Sequence, residues 1–266
     1  MRKWLWSLLM MWLSGAALIA QQPATPGGAP IQSVPPVALN PATNRLDAIL
    51  LSWEQAMKPI QSAFVQCTHT VVDKVLKDTE VYEGTAQFMK PDLAIIDLKM
   101  KGRPQDVEHY ICTGTFVYQF VSANQIIKVF DLKTGQSNQD NFLPFLQGMK
   151  AQDAKARYEL TLVKEDKLYT YIKIVPRLLE DKADFREARL VLWSQTLLPR
   201  ELRFVAPNGN ENIWDIPKIE PNPRQLNRTA FTAPKLPAGW KWEKAPVLQT
   251  PMPRNDVPPR VFRPNQ

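Results

Sequence analysis

The sequence predicts a mainly β domain: one strongly twisted, partly closed antiparallel sheet with helices covering one face. Three observations carry this. Apolar residues recur with period two from Ala63 to Ile219, the mark of half-buried strands. About eleven such runs follow at short spacing, with turn signals such as Glu165–Asp166 and Asn208–Gly209 between them, and consecutive hairpins of this kind curl. Two stretches have the helical amphipathicity to cover the sheet: one after Asn44, the other around Phe142–Met149.

In order, the chain opens with Arg2 and Lys3, an apolar run from Trp4 to Ile19 and small residues up to Ala20. This predicts a secretory signal peptide over 1–20, cut near Ala20–Gln21, and hence a periplasmic or secreted protein. The competing reading is an uncleaved anchor, for which the run is slightly short of the ~20 residues a spanning helix needs. Residues 21–44 carry no charge and are rich in Pro, Gly, Ala and Gln. Such a segment cannot bury enough apolar surface to offset its ordering entropy, which predicts a disordered or semi-extended spacer. Residues 246–266 are its counterpart, with six prolines and with Arg254, Arg260 and Arg263 against Asp256. They predict a disordered tail, either simply solvated or a basic arm for an anionic partner.

Residues 45–245 are left as one domain. Of the formal +7, Arg2, Lys3 and the tail account for all but about +3. That surplus is mild and forms no basic stripe interleaved with aromatics, so nucleic acid is not an expected partner.

Within the domain, Asn44 is the expected N-cap, and Leu46, Ile49, Leu50, Trp53 and Met57 recur at helical spacing before Lys58–Pro59 ends the helix. Strands are predicted near 63–72, 79–90, 93–100, 108–113, 116–121 and 125–131. After a helical break around 140–155 they resume near 157–165, 168–176, 185–193, 197–206 and 210–219. The stretch Thr79–Lys101 fixes the faces. Tyr82, Gly84, Ala86 and Phe88 share one side, Pro91 stops the ladder, and Ala94, Ile96, Leu98 and Met100 share a side of the next strand. By parity Lys90 belongs with Phe88, at the rim of the apolar face. It is either a snorkelling rim lysine or a latch.

No serine elbow, phosphate loop or carboxylate pair stands out, so no catalytic residue and no cofactor are expected. Cys67, His69, His109 and Cys112 are every Cys and His in the chain. His109 and Cys112 point to opposite faces of one strand, against a tetrahedral metal site. Cys67 and Cys112 are either two buried thiols or a disulfide of an oxidising compartment. Trp193, Trp214, Trp240 and Trp242 read as packing residues.

Several motifs follow in order. Phe64-Val65-Gln66 opens the first strand. Glu83-Gly84 and Met89-Lys90-Pro91 come next, then Thr113-Gly114 before Val117, Tyr118 and Phe120. Pro144-Phe145, Leu198-Pro199, and Phe231 with Leu236-Pro237-Ala238-Gly239 complete the series. In this the chain resembles the periplasmic lipoprotein carrier superfamily, LolA-like, with LolB and the sensor RseB as relatives. The resemblance implies an unclosed half-barrel of about eleven strands under a helical lid, with a hollow that binds lipid, acyl chains or lipoprotein. Lys90 stands where the family has a lid-latching Arg, and Ala94 where it often has an aromatic. The hollow would be lined by Tyr82, Ala86, Phe88, Ala94, Ile96 and Leu98. Gln66 and Lys90 would be inward polar groups, and Phe142, Phe145 and Leu146 would belong to the lid. A monomeric binding protein is implied. An envelope sensor with a protein partner is the alternative.

Overall fold

The structure, a computed structural model, describes residues 38–132 and 149–244. The predicted signal peptide, most of the spacer, the lid residues Phe142, Phe145 and Leu146, and the tail lie outside the described residues. Among the described residues no helix is long and apolar enough to cross a membrane.

The domain begins earlier than predicted. Leu39 packs on the core, and Asn40 N–H donates to Asp47 Oδ2 at 2.8 Å, so Ala38–Asn44 belongs to the fold rather than to the spacer. The Asn44 side chain accepts from Leu46 and Asp47 N–H, satisfying two of the amides that the first turn of a helix leaves unpaired. Helix α1 (Arg45–Met57) follows, and its stripe of Leu46, Ile49, Leu50, Trp53 and Met57 is buried as its spacing predicts.

Strands β1 (Ser62–Asp73), β2 (Asp78–Met89), β3 (Leu93–Met100), β4 (Arg103–Thr113), β5 (Phe116–Val121) and β6 (Ile126–Asp131) form one antiparallel meander. Helix α2 (Ala151–Arg157) leads into a second, made of β7 (Tyr158–Glu165), β8 (Tyr169–Pro176), β9 (Glu187–Trp193), β10 (Pro199–Val205) and β11 (Glu211–Pro221). The meanders join where β11 pairs with β1. Asn222 clips this seam. Its Oδ1 accepts from Gln61 and Ser62 N–H at 2.8 and 3.1 Å, and its Nδ2 donates to Pro59 O at 3.1 Å. Asn tolerates the left-handed backbone (φ 51°) found there better than most residues.

Two elements escape the sequence reading. A six-residue helix, α3 (Leu179–Asp184), sits between β8 and β9, anchored by the Arg157 guanidinium on the buried Asp181 carboxylate at 2.9 and 3.1 Å. A twelfth strand, β12 (Lys241–Lys244), adds in parallel to β6. All four of its residues are exposed, so it has no apolar alternation to read. The result is one unclosed, curved sheet in the order β12-β6-β5-β4-β3-β2-β1-β11-β10-β9-β8-β7.

Gly84 marks a close approach within that curl. A Cβ there would lie 2.1 Å from Asp97 O on β3, so only glycine lets the two strands come this near. The core lies between the inner face of the sheet and α1, with Trp53, Tyr158, Phe185, Leu50, Ile96 and Leu98 among its fully buried side chains.

Candidate functional site

Parity sets the inner face. On β1 it carries Ala63, Val65, Cys67 and His69, and on β2 Tyr82, Ala86 and Phe88. On β3 it carries Ala94, Ile96, Leu98 and Met100, and on β4 Glu108, Tyr110 and Cys112. The register places them in rows, such as Val65–Ala86–Ile96–Tyr110 and Cys67–Gly84–Leu98–Glu108. Tyr82, Ala86, Ile96 and Leu98 are buried in one cluster with the α1 stripe, and Phe88 packs against it half-exposed. Ala94 is buried beside Cys112. Six of the predicted lining residues therefore share one face.

One polar expectation changes. Gln66 is exposed on the outer face, because its neighbours Val65 and Cys67 take the inward positions of a period-two strand. The Tyr82 ring is buried as a lining residue, and its hydroxyl donates to Glu80 Oε2 at 3.0 Å.

Lys90 reaches α1. Its Nζ donates to Met57 O at 3.1 Å, one of the last-turn carbonyls that a helix leaves without an internal partner and where a cation is favourable. Burial pushes the Lys90 ammonium below the ordinary lysine range. One ammonium to one carbonyl is a lighter fastening than a guanidinium fork gives. Other ties hold α1 along its length. Lys155 Nζ meets Asp47 Oδ1 at 2.6 Å, Ala151 N–H donates to Glu54 Oε2 at 2.9 Å, and Arg45 Nε donates to Glu165 Oε2 at 2.9 Å. Burial pushes the Asp47 carboxyl up, yet Lys155 and the Asn40 N–H hold it below its ordinary value. Each of these ties is polar and non-covalent.

The inner face also holds a pair the sequence reading missed. His69 Nδ1 lies 3.2 Å from Glu108 Oε2, with the side chains 1% and 6% exposed. Strands β2 and β3 lie between their parent strands, so the contact spans the curl of the sheet. Trp214 stacks on the imidazole at 4.1 Å and 10°. His69 Nε2 and Glu108 Oε1 are buried without a hydrogen-bond partner, an arrangement buried polar groups rarely keep. The usable signal was the alternation Glu108–Tyr110–Cys112, which puts Glu108 on the inner face.

Neither cysteine is reactive in this setting. Both are buried and free. Burial pushes the Cys67 thiol up to about 12, with the Glu108 charge adding to it, and burial likewise pushes Cys112 to about 12. The thiolate is the nucleophile, so such thiols are inert. Among the described residues no three His, Cys, Asp or Glu side chains converge to hold a metal ion.

No protein-family model matches the chain, and no curated protein matches it. Among solved structures it is similar to an uncharacterized conserved protein from Thermus thermophilus, at 9% identity and a TM-score of 0.48, covering 76% of this chain and 100% of that one. It is similar to MucB of Pseudomonas aeruginosa, solved in complex with MucA, at 13% identity and a TM-score of 0.37, covering 70% of this chain and 61% of that one. It is also similar to a LolA superfamily protein from Nitrosomonas europaea, at 10% identity and a TM-score of 0.36, covering 71% of this chain and 97% of that one.

Proposed function

We propose that this chain is an exported, non-enzymatic binding protein that takes a lipid, acyl chain or lipoprotein between the inner face of the half-barrel and α1. The supporting observation is the manner in which α1 is attached. An apolar stripe rests on an apolar sheet face, fastened by polar ties from Lys90, Lys155, Ala151 and Glu165.

Magnitudes fit a removable cover. Each tie contributes about 0.5–1.5 kcal/mol net, less where exposed as at Arg45. Lifting the helix also uncovers large apolar side chains, at about 1.5–3 kcal/mol each. A ligand must replace that lost burial. An acyl chain gains about 0.8 kcal/mol per methylene, so a dozen methylenes contribute roughly 10 kcal/mol. A long apolar chain thus offers burial of the same order as the helix stripe, whereas a small polar ligand does not.

A second reading, an interaction protein that uses the fold without carriage, is favoured by the packing of Tyr82, Ala86, Ile96 and Leu98 in the core. A tethered helix separates the two. In the full chain, Glu54→Cys with Ala151→Cys should lock α1 to α2 when oxidised. Saturable binding of a fluorescent fatty acid is expected, lost on oxidation and restored by reductant. Absence of binding, or binding indifferent to the tether, would overturn the proposal.

A further inference from the structure

The outer surface, away from the proposed acyl site, carries a cleft of about 330 Å³ lined by Phe64, Gln87, Glu220, Pro223, Gln225 and Leu226. Its floor is one cross-strand row. Phe64 on β1 pairs with Gln87 on β2 and with Glu220 on β11. Its wall is the turn after β11, where Leu226 N–H donates to Pro223 O at 3.2 Å. Asn222 holds that turn against the start of β1.

An aromatic ring flanked by proline and leucine suits the flat faces of proline rings. Two primary amides can donate to carbonyls, and a carboxylate can take a cation. A polyproline II strand offers this complement, because its backbone makes no internal hydrogen bonds and its carbonyls are free. Residues 246–266 have the composition for it, with six prolines and three arginines against one aspartate. The other Pro-rich stretch, 21–44, has no charge to meet Glu220.

The route of the chain favours the tail. Lys244 on β12 is opposite Val129 on β6, and the same row continues through Tyr118, Ile111 and Ile95 to Gln87 and Phe64. The described chain thus ends level with the cleft, six strand spacings away along the sheet. At ~4.8 Å per spacing this is roughly 29 Å. A polyproline II strand rises ~3.1 Å per residue, so in that conformation about nine residues beyond Lys244 would span the distance, which counts to Pro253, with Arg254 next in sequence. We propose that residues 251–260 of this chain dock in the Phe64–Glu220 cleft, with Arg254 paired to Glu220.

Spin labels on the full chain test this, with Arg224→Cys and Asn255→Cys as attachment points, since Cys67 and Cys112 are buried. Pulsed dipolar spectroscopy should show a narrow, short-distance population. Glu220→Arg alone and Arg254→Glu alone should each remove it, and the two together should restore it. Arg254 lies outside the described domain, so loss in Arg254→Glu would not reflect unfolding. A broad distribution in the starting chain would overturn the proposal, as would a short population that survives both charge reversals. A short population that vanishes on dilution with unlabelled chain would also overturn it, assigning the cleft to a second copy.

Discussion

Glu108→Ala isolates the physics of the inner face. It removes the carboxylate that lies 3.2 Å from His69 Nδ1, in a site where the imidazole is 1% exposed. The substitution leaves both ring nitrogens buried without partners, since Nε2 already has none. Leaving a buried polar partner unsatisfied costs about 1–3 kcal/mol, whereas replacing both sides with apolar groups of similar shape can be nearly neutral or stabilising. For a domain of this size each kcal/mol moves Tm by about 2–4 °C. Glu108→Ala should therefore lower Tm by about 4–8 °C, for about 2 kcal/mol in the middle of that range. His69→Leu with Glu108→Leu should return Tm to within about 3 °C of the starting chain, because the unpartnered Nε2 and Oε1 leave together. Differential scanning calorimetry on the single and double variants decides it. Equal destabilisation in both, or a neutral single substitution, would refute the view of the pair as a polar liability held by mutual contact.

Other perturbations follow from the same geometry. Gly84→Ala drives a methyl to 2.1 Å from Asp97 O and should cost about 2–3 kcal/mol, read from the urea midpoint. Asn222→Ala removes two accepted N–H bonds and a residue suited to φ 51°; about 2–3 kcal/mol is expected, with Asn222→Gly recovering part of it. Lys90→Met keeps the stem and removes the bond to Met57 O. It should speed hydrogen exchange at the end of α1 by roughly fivefold, for about 1 kcal/mol, and leave β9 unchanged. Asp184 is raised to about 6 by burial and then by Asp181, with Arg157 opposing. The folded chain thus holds this proton more firmly than the unfolded chain, so the contribution is present below about pH 4 and is lost as pH rises through about 6. Asp184→Asn should match the starting chain near pH 4 and have the higher Tm at pH 7.

Much of the architecture was legible because it is written in periodicity. Tyr82, Ala86, Ile96 and Leu98 announce their face by alternation, and α1 announces its stripe by spacing and its start by Asn44. The elements that were missed lack those signals. Exposed β12 has no alternation, and α3 is too short to establish a helical period. Gln66 faces outward because Val65 and Cys67 hold the inward positions of β1, a parity that the Phe64-Val65-Gln66 motif does not carry. The His69–Glu108 contact could not be read from sequence distance, since it depends on how far the sheet curls between β1 and β4. For Lys90 parity gave the face, while the partner, Met57 O, required knowing where α1 ends over the sheet.

The central claim is that the inner face binds an acyl chain. Native mass spectrometry with lipid extraction, on the full chain produced in an export-competent host, tests it most directly. The account predicts co-purified lipid or acylated protein, lost in Phe88→Asp with the β-sheet circular dichroism retained. An empty chain that also ignores a fluorescent fatty acid would contradict it and leave the interaction reading in its place.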